Sequence, residues 1–343
     1  MKYKVRISFL FLGLTLPIAQ AQGSDQSLAN QFQDALKVVS GIYYQPVAET
    51  QLLAGCSEEL IRGGNPARPA SSVGDLSRLA QELSTANPAQ FTETSLRDLC
   101  FKGMFSRLDK QSAYLNEAEL NRLRNEAAGP AKPVQAYQIE GRFLYIRIEQ
   151  FQEKTVGELA DVLKRANAQP IRPAAFVLDL RDCPGGLLTT SIGVAAAFLP
   201  KGSIVFATKG HHPNASQTLL ALPEYYALYD KKNEPLQDLP QEARTVPLAV
   251  LVNHKTTSGA EAVAGALQFH RRADIVGEQT AGVGMIQTFR PLLNQTMFKL
   301  TSAQIILPSG RELEVNGIAP NLSAGSDEAL KAALDHLKAI PLN

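Results

Sequence analysis

The sequence predicts an α/β protein with a mixed-sheet core and a helical N-terminal domain, on three observations. From Phe143 onward, short buried-looking apolar runs alternate with segments of helical period. Before Ala127 the apolar residues recur only at helical spacing. Between the two lies AAGPAKP, Ala127 to Pro133, a Gly/Pro/Ala stretch that marks the best domain boundary in the chain.

The chain opens with MKYKVR, then ISFLFLGLTLPI, then AQA before QGSD. A basic start, a short apolar run and small residues at cleavage spacing predict a signal peptide over 1–21, cut after Ala21. The competing reading is a membrane anchor, but the apolar run from Ile7 to Ile18 has 12 residues, where a span needs about 20. The expected location is therefore periplasmic or secreted, with no membrane span.

The helical domain is expected over 22–130. Helical spacing runs from Ser27 to Tyr44 and from Glu49 to Arg62; GGNPARPASSVGD interrupts it as a loop, and it resumes over Asp75 to Ala86, Glu93 to Arg107 and Asn116 to Ala127. In an oxidising compartment, two cysteines on helical patterns, Cys56 and Cys100, predict a disulfide. Three buried thiols are the alternative.

The α/β core is expected over 134–325. Strands are read at Phe143 to Phe151, Ala174 to Leu180, IVFATK, Pro247 to Asn253, ADIVGE, QTFRPLL and TMFKLTSAQIIL, the last two joined by a hairpin at Asn294-Gln295. Helices are read at Thr155 to Ala168, Leu187 to Leu199 and Gly259 to His270, with an irregular stretch from Gly210 to Thr245. Residues 326–343 close the chain with an amphipathic helix.

Composition narrows the function classes. Of 343 residues, 45% are hydrophobic and 20% charged, with 34 Lys+Arg against 33 Asp+Glu, values of an ordinary globular chain. A mostly disordered or collagen-like protein is excluded. Loss of Lys2, Lys4 and Arg6 with the leader takes the formal charge from +1 to −2, and nothing suggests a nucleic-acid partner. Neither a cofactor nor a metal site is indicated, since the His211-His212 pair lacks further spaced ligands.

Two turns carry the chemistry. Asp179-Leu180-Arg181-Asp182-Cys183-Pro184-Gly185-Gly186 closes a buried strand and opens a helix, so its amides can face a negative oxygen. Asn253 to Glu261, NHKTTSGAE, does the same after the next buried strand. Ser258 and Glu261 form S-x-x-E, and the bland reading is a helix capping box.

Taken together, these segments resemble the C-terminal processing peptidases, or tail-specific proteases. DLRDCPGG matches that family's D-L-R-x-N-P-G-G, with Cys183 in place of Asn. LVNHKTTSGAE aligns Ser258 with the catalytic serine, and VAGALQ, IVGEQTAG, FKLTSAQ, LPSGRELEVNGIAPN and KGMFSRLDKQSAYL also look like family segments. The resemblance covers most of the mature chain. It implies a core of the ClpP/crotonase-like type, a serine peptidase-like site acting on or binding peptide or unfolded protein segments, and an oxyanion hole from Gly185 or Gly186 with Gly259. It also places Asp179, Arg181, Glu261 and Gln287 among the polar residues organising the site. Oligomeric state is not implied.

The chain departs from the pattern twice. Gly277-Glu278-Gln279-Thr280-Ala281-Gly282-Val283-Gly284-Met285-Ile286-Gln287 puts Val283 where the family has its catalytic lysine. Between Asn121 and Arg142 lie only 22 residues, counting both, where the family inserts a PDZ domain and a folded domain needs about 50. Both an enzyme with a substitute base and an inactive pseudopeptidase that binds peptides are thus open. As substitutes, His270 is about 18 Å along the helix from Ser258. His254 and Lys255 are within reach, but read most simply as solvated loop residues. Lys299 matches a non-catalytic position. Cys183, in a turn before a helix, is either a thiol of lowered pKa or, as the stronger reading, a buried inert one.

Overall fold

The computed structural model describes residues 27–64, 68–126, 133–227, 234–292 and 295–340. The expected leader 1–21, most of the boundary stretch 127–133, and Asn294 of the expected hairpin lie outside them. The chain divides into two compact units, which is not a simple cut along the sequence. Unit 1 comprises Met1–Ala127, Gly210–Ala215 and Gln287–Ala303; unit 2 comprises Ala128–Lys209, Ser216–Ile286 and Gln304–Asn343.

In unit 1, α1 (Leu28–Ile42), α2 (Glu49–Gly64), α3 (Val73–Ala86) and α4 (Glu93–Phe105) precede β1 (Ala113–Leu115) and α5 (Glu117–Glu126). Caps set their starts. Ser27 accepts from Asn30 N–H, Thr92 accepts from Ser95 N–H, and Ser72 with Asp75 forms a reciprocal box. Leu52, Leu60, Leu76, Leu79 and Met104 are fully buried between these helices, and a disulfide joins Cys56 to Cys100. Phe298, from the later segment of the unit, is fully buried in the same core. Its ring sits 5.3 Å from Phe101, 4.8 Å from Phe105 and 6.1 Å from Tyr114, distances at which aromatic pairs add to simple burial.

Unit 2 carries β2 (Val134–Ile139), β3 (Phe143–Ile148), α6 (Thr155–Asn167), β4 (Ala175–Asp179), α7 (Leu188–Phe198), β5 (Ile204–Lys209), β6 (Gln217–Leu220), α8 (Pro223–Tyr226), α9 (Glu242–Thr245), β7 (Leu248–Val252), α10 (Gly259–Phe269) and β8 (Asp274–Gly277). Next come β9 (Met285–Pro291) and β10 (Met297–Ile306), which run across the division between units, then β11 (Leu322–Ser323) and α11 (Ala329–Ala339). The principal sheet has the order β11-β8-β7-β4-β3-β2, parallel except for the antiparallel β2–β3 pair. It is the mixed α/β architecture that alternation of strands and helices implies.

Every residue of β4 and β7 is buried, as central parallel strands covered on both faces require. One face packs on α11 through Phe143, Tyr145, Val177, Leu251, Ala333 and Leu337. Because the strands are parallel and adjacent, β4 and β7 deliver their following turns to the same edge of the sheet.

Three readings need correction. The stretch from Gly210 to Thr245 is not irregular throughout, since β6 pairs antiparallel with β5 and two helices of four residues follow. β2 carries four exposed residues in six, so it has no buried run to betray it in the sequence. β9 begins at Met285, two residues before the expected strand.

Phe298→Ala is expected to cost about 3–5 kcal/mol, seen as a lower midpoint in denaturant unfolding. Cys56 and Cys100 close a loop of 45 residues, a separation of 44 plus one end. Non-reducing peptide mapping should recover them linked, and Cys56→Ser with Cys100→Ser should lose stability, with about 4 kcal/mol as the upper figure from chain entropy.

Candidate active site

The two turns meet in unit 2. Thr257 N–H donates to Cys183 O at 3.0 Å. Gly185 has φ +79, and a Cβ placed there would lie 2.8 Å from Gly259 N and 3.2 Å from Ser258 Cβ, so no larger residue allows this approach. The turn is tied from its other side by Phe151, whose N–H donates to Gly185 O at 2.8 Å while its carbonyl accepts from Leu187 N–H at 2.9 Å. Gly186 lies against that carbonyl, where a Cβ would come within 2.2 Å of the oxygen.

Ser258 stands at the N-cap of α10 with φ +54 and ψ −121, a conformation rare for a residue with a side chain and of a kind that persists only where its surroundings enforce it. Glu261 does the enforcing. The capping-box motif is present, but only its carboxylate half is an ordinary hydrogen bond: Ser258 N–H donates to Glu261 Oε2 at 2.8 Å.

The same carboxylate, fully buried, also receives Val283 N–H on Oε2 at 2.9 Å, Gly282 N–H on Oε1 at 2.7 Å and the Thr280 hydroxyl on Oε1 at 2.5 Å. The Ser258 and Val283 amides thus share one acceptor oxygen, which ties the backbone of the 280–283 segment to the first turn of α10. Val283 is partly buried.

A second network braces the turns from the α11 side. Asp179, fully buried at the end of β4, accepts from Arg181 Nε at 2.9 Å, from Arg181 Nη2 at 2.5 Å, from Arg181 N–H at 2.9 Å and from the Tyr145 hydroxyl at 2.5 Å. Burial alone would raise the Asp179 carboxyl, but the hydrogen bonds from Arg181 and Tyr145 outweigh it and hold the group below the usual carboxylate range. Burial, with the bond to Asp179, pushes the Tyr145 phenol up to about 12. Arg181 also donates through Nη1 to Ser326 O.

Asn253 and Thr256 went unnoticed in the sequence as site residues. Asn253, 2% exposed, accepts from Asp182 N–H at 3.0 Å and Lys255 N–H at 3.1 Å and donates to Asp182 Oδ1 at 3.1 Å and Ser326 Oγ at 3.2 Å. Thr256 Oγ1 donates to Leu180 O at 2.8 Å. An amide at the exact end of an apolar strand was the available signal, since a buried Asn must satisfy both ends of its side chain.

The candidate substitutes for a base have other partners. His254 Nδ1 lies 2.8 Å from Glu278 Oε2, and Lys255 Nζ is 3.9 Å from Asp182 Oδ1; both side chains are about two-thirds exposed. His270 Nε2 meets Ile204 O at 2.8 Å. Cys183 is a buried free thiol pushed up to about 12 by burial, which keeps it protonated and unreactive near neutral pH.

In unit 1, Gln287 donates to Gln111 Oε1 and Thr301 Oγ1, both at 3.0 Å. Lys299 of β10 pairs with Ala113 of β1. Among the described residues no group of three or more His, Cys, Asp or Glu is placed to hold a metal ion, and no helix is long and apolar enough to cross a membrane.

The model of peptidase family S41 matches residues 142–324. The chain is 39% identical over 188 residues to the carboxy-terminal-processing protease of Bartonella bacilliformis, a match spanning 54% of this chain and 39% of that protein. It is 31% identical over 188 residues to a probable CtpA-like serine protease of Staphylococcus aureus, spanning 54% of this chain and 34% of the other. The chain thus spans well under half the length of these curated relatives.

Two solved structures share the fold. A photosystem II D1 C-terminal processing protease superposes with a TM-score of 0.59 at 16% identity, over 88% of this chain and 94% of that one. A lipoprotein from Streptococcus agalactiae superposes with 0.54 at 18% identity, over 87% and 99%.

Asp179 yields a pH prediction. Its folded pKa is depressed, so its stabilising contribution is complete above the ordinary value of about 3.9 and disappears as pH falls through the lower folded value. Asp179→Asn should flatten that acid limb of the stability profile in denaturant titrations. At neutral pH it should cost on the order of 3–5 kcal/mol by leaving Arg181 without its counter-charge.

Proposed function

The chain belongs to peptidase family S41, and from that premise we propose that it is an exported, peptidase-like protein that holds peptide or unfolded protein segments at Ser258 without the amine needed to cleave them. One observation carries the reading. Ser258 N–H and Val283 N–H share Glu261 Oε2, so the backbone of residue 283 is tied to the same carboxylate oxygen as that of the serine, and residue 283 is a valine.

A serine hydroxyl attacks a peptide carbonyl only when a neighbouring group takes its proton. Valine takes none, and removing the base of a well-studied serine protease costs on the order of a millionfold in turnover. His254 and Lys255, the nearest alternatives in sequence, are engaged by Glu278 and Asp182.

The remaining parts suit a cleft that still receives a peptide. In this reading Gly185 or Gly186 with Gly259 offers amides to a carbonyl oxygen, Glu261 fixes the turns, and Asp179 with Arg181 braces them. Gln287 retains its family position. The 22 residues from Asn121 to Arg142 leave no room for a PDZ domain, so substrate capture would fall to the core itself. The basic, apolar and small-residue leader over 1–21 supports export.

Mature parent protein should show no Ser258-dependent cleavage of unfolded casein and no labelling by a serine-directed phosphonate. Val283→Lys should gain at least labelling, because the partial burial of position 283 lowers an amine's pKa toward that of a base. Its longer side chain should cost about 1–3 kcal/mol. Cleavage by the parent that disappears in Ser258→Ala would overturn the silent reading in favour of an enzyme with an unconventional base.

A further inference from the structure

Val315 combines two outliers. It has φ +73, and is the only β-branched residue among the described non-glycine residues of positive φ. It is also 81% exposed, more than any other large hydrophobic residue described. A branched side chain in that backbone region is strained, while an exposed apolar side chain gains nothing from burial in the free protein. Folding alone therefore gives no reason for valine here, and asparagine or glycine would suit the conformation better.

The surroundings hold the strained loop firmly. Val315 N–H donates to Gly282 O at 2.9 Å. Gly284 N–H donates to Glu314 Oε2 at 2.5 Å, Gln279 Nε2 to Asn316 O at 2.8 Å and Arg311 Nη2 to Gly317 O at 2.7 Å. A Cβ on Gly282 would sit 2.7 Å from Val315 C. Strain so thoroughly enforced is characteristic of functional positions. The segment that enforces it, Gly282 to Gly284, is the one that Glu261 ties to Ser258 through the Gly282 and Val283 amides.

We propose that Val315 is a specificity-determining contact of the Ser258 site, presenting its side chain to an aliphatic side chain of a bound peptide; this rests on the peptide-binding reading above. The ligand class is an extended peptide segment carrying Leu, Ile or Val. Glu314 and Asn316 serve as clamps of the loop, and the valine alone faces outward to make the contact. Burial against the peptide would supply the favourable apolar transfer that the free protein lacks.

The test uses the mature protein with Ser258 in place and two fluorescein-labelled decapeptides. One alternates leucine and glutamine, and the other has serine for every leucine. Fluorescence anisotropy should show the leucine peptide binding more tightly. Val315→Asn should weaken that binding about tenfold or more while leaving the serine peptide unchanged, and Val315→Ile should retain the affinity. The thermal midpoint of Val315→Asn should be unchanged or higher, because the strain is relieved.

If the leucine peptide binds equally to parent and Val315→Asn, the assignment of Val315 is overturned and the peptide-binding reading stands. A lowered midpoint in Val315→Asn would make Val315 a structural residue and overturn the assignment too. If neither peptide binds the Val315 form, the peptide-binding reading itself fails, and the assignment falls with it.

Discussion

The arrangement around Ser258 depends on one carboxylate. Glu261 is fully buried and accepts four hydrogen bonds, from Ser258, Thr280, Gly282 and Val283. A buried carboxylate without such donors would be prohibitively costly, and one with four of them is a rigid joint. It connects the first turn of α10 to a loop 21 and 22 residues away in sequence. Of the capping box expected from S-x-x-E the carboxylate half is an ordinary hydrogen bond, and it is the smaller part of what the glutamate does.

The other turn is secured by a separate set of groups. Asp179 with Arg181 and Tyr145, and Asn253 with Asp182 and Ser326, bind the ends of β4 and β7 to each other and to the segment before α11. Replacing a buried ion pair of this kind by apolar packing is often neutral, whereas removing one partner leaves an uncompensated charge, so the pair holds as a unit. The geometry so held is the close approach of Gly185 to Ser258 and Gly259. Cys183 in the same turn is sealed from solvent and serves as a small apolar filler.

The loop ending at Gly317 is tied to the 282–284 segment by Val315 N–H on Gly282 O and by Gly284 N–H on Glu314 Oε2. Val283, in that segment, is partly buried, and Val315 is 81% exposed. The backbone around Ser258 is thereby held in one arrangement before any ligand arrives, the preorganisation that lowers the cost of binding.

Much of this was legible in the sequence because the signals were local. The apolar runs of β4 and β7, the helical period of α1 to α4, and the turns DLRDCPGG and NHKTTSGAE are each contained in a few adjacent residues, and the sequence by itself determined the α/β class and the two turns. What depended on distant partners was not legible. β2 is an exposed edge strand whose existence rests on pairing with β3, and Phe298 joins helices nearly 200 residues earlier in the chain through contacts that no local period announces. The four-fold role of Glu261, the bridging by Asn253 and the strain at Val315 were likewise decided only by tertiary structure. A hydrogen-bond acceptor's partners and a residue's φ are set by what the fold brings alongside, and the one-dimensional pattern records neither.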